Sequence, residues 1–158
     1  MRSLSRTALP LVALLWAGPA LAGSDDWMPP VTDPLTRTAC GDCHMAFQPG
    51  FLPARSWSRM MDTLSDHFGD NATLPPDQAA AIRTYLTANA GDVRPQGAAA
   101  QYMRWVAPDG APQRITENPA FLRDHDFRPS VWQRPDVVTR SNCLACHKGA
   151  DQGVYDDD

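Results

Sequence analysis

Two pentapeptides of one form, Cys40-Gly41-Asp42-Cys43-His44 and Cys143-Leu144-Ala145-Cys146-His147, constrain this chain more than any other feature. Both read C-x-x-C-H, the spacing of c-type haem attachment. The chemistry explains the pattern. Two thiols about one turn apart can add to the two vinyl groups on one edge of a haem, and the next residue then aims its imidazole at the iron. With four cysteines and four histidines in 158 residues, a single such motif arises by chance with a probability of about 0.002. Two of them point to two haem c groups, held through Cys40, Cys43, Cys143 and Cys146, with His44 and His147 as proximal iron ligands.

Other uses of paired cysteines explain less. A C-x-x-C pair can be a redox dithiol, two pairs can build a structural zinc site, and four cysteines in an exported chain can form two disulfides. None of these requires a histidine at the fifth place twice.

The chain opens as an address label. Arg2 and Arg6 form a positive region, Ala8 to Ala17 is apolar apart from Pro10, and Ala20-Leu21-Ala22 is a small-x-small cleavage site. The apolar run is too short to span a bilayer. Residues 1–22 therefore read as a signal peptide cleaved after Ala22, with the mature chain starting at Gly23. An uncleaved membrane anchor is the alternative, and no later segment is long and apolar enough to span. Losing Arg2 and Arg6 takes the net charge from −4 to −6. An acidic chain of this kind gives no support to nucleic-acid binding.

The remaining histidines are His67 and His125, so two haems with two axial histidines each would use all four. Leu64 precedes His67 by three residues, and Phe121 precedes His125 by four, so both histidines share the apolar face of a candidate helix. Either could instead be an ordinary core residue. Met60, Met61 and Met103 are rival sixth ligands, and Met/His ligation would raise the reduction potential. His67 follows His44 by 23 residues and His125 precedes His147 by 22. Short closure assigns His67 to the first haem and His125 to the second. Proximal histidines commonly donate the second ring proton to a backbone carbonyl, and Pro49 is placed to offer one to His44. Trp57, Trp132, Tyr102 and Trp105 are candidate haem-packing aromatics.

The 15 prolines, about twice the usual share, predict a loop-rich chain. A helix is expected over Leu35 to His44, and an amphipathic one from Arg55 to Phe68 stopped by Gly69. Pro75-Pro76-Asp77 opens a third, with Ile82, Tyr85 and Leu86 inward and Gly91 as its close. Asp92 to Ala100 reads as a linker. Tyr102–Val106 and Gln113–Thr116 flank Pro108-Asp109-Gly110 as a weak hairpin. Asn118-Pro119 caps and starts a helix through His125. Asp156-Asp157-Asp158 reads as a solvated tail.

The chain resembles the bacterial dihaem cytochrome c family. The resemblance rests on Cys40 to His44, on Trp57-x-x-Met60-Met61 through His67-Phe68-Gly69-Asp70, on Arg114-Ile115-Thr116-Glu117, and on Ser141-Asn142-Cys143 through His147-Lys148-Gly149. It implies a mainly α fold of two small haem-binding lobes. Residues 23–94 would form a lobe similar to a class I cytochrome c, and residues 95–158 a less regular one with short helices. It also implies bis-histidine ligation by His44, His67, His125 and His147, and a periplasmic electron carrier without catalysis of its own. The implied partners are a membrane b-type cytochrome as donor and an oxygen-binding monohaem cytochrome as acceptor. A dihaem enzyme with one open iron is the alternative.

Overall fold

A computed structural model describes residues 26–156. The signal peptide, the start at Gly23, and Asp157 and Asp158 of the acidic tail lie outside the described residues. Six short helices follow one another: α1 (Pro34–Gly41), α2 (Ala54–Asp62), α3 (Pro76–Ala88), α4 (Ala99–Arg104), α5 (Pro119–Asp124) and α6 (Pro129–Trp132). Single 3-10 turns fill much of the rest. Among the described residues there is no strand, only two isolated antiparallel bridges, Trp27 with Val154 and His67 with Asp70.

Local chemistry accounts for the helix starts. Asp33 caps α1, its carboxylate accepting from the Thr36 amide and hydroxyl at 2.7 Å each, with Pro34 in the first turn. Asn118 caps α5 in the same way, accepting from Ala120 N at 2.8 Å while its own amide donates to Tyr102 O at 3.1 Å. The helix ends differ from expectation. α1 stops at Gly41 rather than reaching His44, at the residue with little helix propensity.

α2 stops at Asp62 rather than Phe68, and Thr63 explains why. Its hydroxyl donates to Arg59 O at 3.1 Å, taking the carbonyl its amide would use in a continuing helix. The amide bonds Met60 O instead. The chain then turns through Leu64–Asp66 in a 3-10 turn and closes a tight loop, with Ala72 N donating to Leu64 O at 2.8 Å.

The hairpin expected around Pro108-Asp109-Gly110 is absent. Gly110 N bonds Ala107 O at 2.9 Å, so the turn itself forms. Its carbonyls serve Arg55 rather than a partner strand: the guanidinium donates to Ala107 O at 2.8 Å and to Gly110 O. The linker expected over residues 92–100 ends early, because Ala98 and Ala99 are buried and start α4 on the core. Alanine has the best helix propensity, and small side chains let the backbone approach closely.

One apolar cluster joins all of this. It runs from Met28 through Leu52, Trp57, Ile82 and Leu86 to Ala99, Tyr102 and Phe121. α2 packs on α3, where Arg83 donates to Ser58 O at 3.1 Å and to Asp62 at 2.5 Å.

Candidate functional site

Both cysteine motifs open onto one cavity of about 1580 Å³. A single ligand typically occupies about 300–1,000 Å³, so this volume has room for two large groups. Cys40, Cys43 and His44 line it, and so do Cys143, Cys146 and His147. The first motif is delivered by the end of α1 and the turn after it. The second lies on the 3-10 turn Cys143–Ala145, with His147 N donating back to Cys143 O at 2.8 Å. No disulfide joins any of the four cysteines. Burial pushes the Cys143 thiol up to about 11 and also raises Cys40. A redox dithiol needs the opposite, a thiol pulled down towards thiolate. Among the described residues no three His, Cys, Asp or Glu side chains converge as a metal cluster would require.

The four histidines meet in two pairs across this cavity. His44 and His67 stand 6.1 Å apart between ring centroids, with planes 25° from parallel. His125 and His147 stand 5.9 Å apart with planes crossed at 78°. An imidazole nitrogen sits about 2 Å from a first-row metal, so two rings on opposite sides of one metal have centroids roughly 6 Å apart. The residues present therefore fit two haems with two imidazoles each. Three of the rings carry a carbonyl on Nδ1: Met45 O at 2.7 Å for His44, Phe121 O at 3.0 Å for His125 and Asp156 O at 3.2 Å for His147. A proton on Nδ1 turns the Nε2 lone pair to the metal.

Pro49 does not serve His44. Its carbonyl accepts from the Trp57 indole N–H at 2.8 Å, a buried donor that would otherwise be orphaned, and Met45 O takes its place. His67 lies on no α-helix. It sits at the end of the 3-10 turn and opens a two-residue turn, donating to Asp70 O at 2.7 Å and accepting from Asp70 N at 3.2 Å. Phe68 (φ 59°) and Gly69 (φ 104°) both lie in the left-handed region, the primed-turn geometry that favours glycine. Phe68 holds this strained conformation between the His67 ring at 4.8 Å and the Arg114 guanidinium, which lies 4.1 Å over its face. Burial lowers the His67 pKa, as do the His44 ring and Arg114, while Asp70 opposes them. The ring is thus kept neutral, as a ligand must be.

Trp57, Tyr102 and Trp132 line the cavity with Met60 and Met61, as expected of cofactor-packing groups. Trp105 does not. It is half exposed and turned away from the cavity. Sequence reasoning missed Tyr155, which edges onto both Phe51 and His147. Its chain position marks it only as one aromatic near an acidic end. Phe68 and Arg114 were visible as parts of motifs, but nothing in the sequence brings one over the other.

One cavity lined by two C-x-x-C-H motifs and two facing imidazole pairs fits a multihaem c-type cytochrome. The chain belongs to the dihaem cytochrome c family, whose model matches residues 36–155. It is 41% identical to a diheme cytochrome c from Rhodobacter sphaeroides, with a TM-score of 0.72 over 81% of this chain and 100% of that one. It is 34% identical to a diheme cytochrome type c from Shewanella baltica, with a TM-score of 0.61 over 78% of this chain and 86% of that one. No curated protein matches the chain. As a member of this family it carries two haem c groups and serves electron transfer.

Proposed function

We propose that this is a periplasmic electron carrier, exported by residues 1–22, in which each iron is held between two histidines. Cys40 and Cys43 tether the first haem, with His44 and His67 as its ligands. Cys143 and Cys146 tether the second, with His147 and His125. The two lobes divide near Arg94, between α3 and α4. The single observation that carries the reading is the pair of imidazole couples, 6.1 and 5.9 Å apart, facing across one cavity.

The haems supply the reversible one-electron chemistry. The protein's part is to bind, orient and shield. Met45 O, Phe121 O and Asp156 O fix ring tautomers, and the Trp57, Met61 and Ile82 side chains exclude water from the first site. With both sides of each iron occupied by imidazole, no position is left for a substrate, and ligation of this kind sits low in potential relative to Met/His. The mature charge of −6 steers the protein towards basic surfaces on its partners. The donor is a membrane or soluble carrier, for which a b-type cytochrome fits. The acceptor is a soluble haem protein, for which an oxygen-binding monohaem cytochrome fits.

An optical experiment separates this reading from a dihaem enzyme with an open iron. Low-spin ferric and ferrous spectra that carbon monoxide and peroxide leave unchanged support the carrier. A high-spin band, or rapid carbon monoxide binding, favours the enzyme.

A further inference from the structure

Residues Gly153 to Asp156 have no place in the haem-attachment motif, yet their backbone and the Tyr155 side chain are tied to distant parts of the fold. Trp27 and Val154 pair as an antiparallel bridge, with Met28 N donating to Gly153 O at 2.8 Å and Tyr155 N to Asp26 O at 2.7 Å. Met28 is fully buried. Gly153 has φ +81°, and a Cβ there would run into the Met28 carbonyl oxygen. The backbones can meet only because this residue is glycine. From the other side, Tyr155 donates its hydroxyl to Gln48 Oε1 at 2.5 Å, and Gln48, itself fully buried, donates to Ala150 O at 2.7 Å. Burial keeps the Tyr155 phenol protonated and so able to donate.

All of these anchors converge on one ring. Tyr155 lies 5.6 Å from the His147 imidazole, edge-on at 66°, and the next residue presents its carbonyl to His147 Nδ1 at 3.2 Å. We propose that the strap Val154–Asp156, held by Asp26–Met28 and pinned by Gln48, sets the reduction potential of the second haem by fixing the hydrogen bond from His147 Nδ1 to the Asp156 carbonyl. The inference rests on His147 being an axial ligand. A carbonyl on Nδ1–H makes the ring a stronger donor, which favours the ferric state and lowers the potential. The proton stays on Nδ1 in both oxidation states, so only the electron moves. The strap joins the N-terminal segment, the loop after the first motif and the second haem. Packing changes around Gln48, four residues past His44, therefore reach the second iron.

The test uses the full holoprotein and two variants. Tyr155→Phe keeps the ring on Phe51 and His147 but loses the bond to Gln48. Gly153→Ala forces the strap off Met28. Each should speed exchange of the His147 Nδ1 proton in the ferrous protein about five- to tenfold, the factor corresponding to one ordinary hydrogen bond. Each should also move the second haem's step, followed through its own EPR signal, to higher potential while the first step stays put. If both variants keep the parental exchange rate and potential, the strap has no such role. The ligand reading is checked separately in the unaltered ferrous protein, where the His147 ring protons must carry the large upfield ring-current shift of an axial ligand. Its absence sinks the ligation scheme, whereas its presence with unresponsive variants sinks only the strap.

Discussion

His125 and His147 face each other 5.9 Å apart with their ring planes crossed at 78°, while His44 and His67, at nearly the same separation, lie within 25° of parallel. The crossing has local causes. His125 is stacked 4.0 Å from Phe121, four residues earlier and only 10° from parallel to it, and its Nδ1 meets Phe121 O. His147 is oriented independently by Tyr155 and Asp156. Near-parallel axial rings lift the degeneracy of the iron dxz and dyz orbitals, which project out of the haem plane towards the rings, whereas crossed rings leave the two almost degenerate. The oxidised protein should therefore show two low-spin EPR signals of equal weight, one rhombic and one with a single large g value. One signal type for both haems would contradict these geometries.

His67→Ala should leave the first haem covalently bound through Cys40 and Cys43 but open one face of its iron. The rhombic EPR signal should vanish, the crossed-plane signal should persist, and the ferrous protein should take up about one carbon monoxide per chain. An unaltered six-coordinate spectrum would show that another side chain holds that position.

Arg114→Gln removes the cation stacked 4.1 Å over Phe68. The contact is worth about 0.5–1 kcal/mol at an exposed site. Its loss should lower the melting temperature slightly. It should also lower the first haem's potential, because a nearby positive charge favours the reduced state, which carries one more electron. The second haem's step should not move.

Ser56→Ala should stabilise the protein by about 1 kcal/mol, read as a higher melting temperature. Among the described residues, Ser56 Oγ is a buried hydroxyl without a partner. The carbonyl it would reach one turn back, Leu52 O, already accepts from Gly91 N at 3.0 Å. Removing the hydroxyl removes an unmet desolvation cost and keeps the helix former.

Asp33→Ala should lower the melting temperature at pH 7, because it uncaps the helix that carries Cys40. The Thr36 amide, then its hydroxyl, hold the Asp33 carboxyl below its usual value of 3.8. A depressed carboxylate stabilises the fold above that usual value, and the contribution fades as pH falls through the lowered one. The gap between parent and variant should therefore narrow below pH 4. A gap constant from pH 7 to pH 2 would mean that the ionised carboxylate is not the cap.

The cofactor and the starts of α1, α2, α3 and α5 were legible in the chain because they depend on neighbours within one turn. C-x-x-C-H places three reacting groups by spacing alone, and Asn118-Pro119 carries its cap within two residues. The start of α4, read as linker, and that of α6, not read at all, were not legible in this way. The two ends predicted for α1 and α2 failed where the outcome lay with details that patterning does not weigh: Gly41 in one case, and the Thr63 hydroxyl competing for Arg59 O in the other. The hairpin failed because Arg55, more than fifty residues away, took the turn's carbonyls.

By itself, the sequence determined how many haem-attachment motifs the chain carries, which thiols are spaced to hold a haem and which four imidazoles are available. Only the tertiary structure decided how those imidazoles are turned and what touches their far nitrogens. Every residue offers the same backbone carbonyl, so no side-chain pattern could have marked Met45 or Asp156 rather than Pro49 as the acceptor. That choice belongs to contacts such as Gln48 with Tyr155, 107 residues apart, which exist only once the chain has closed on itself.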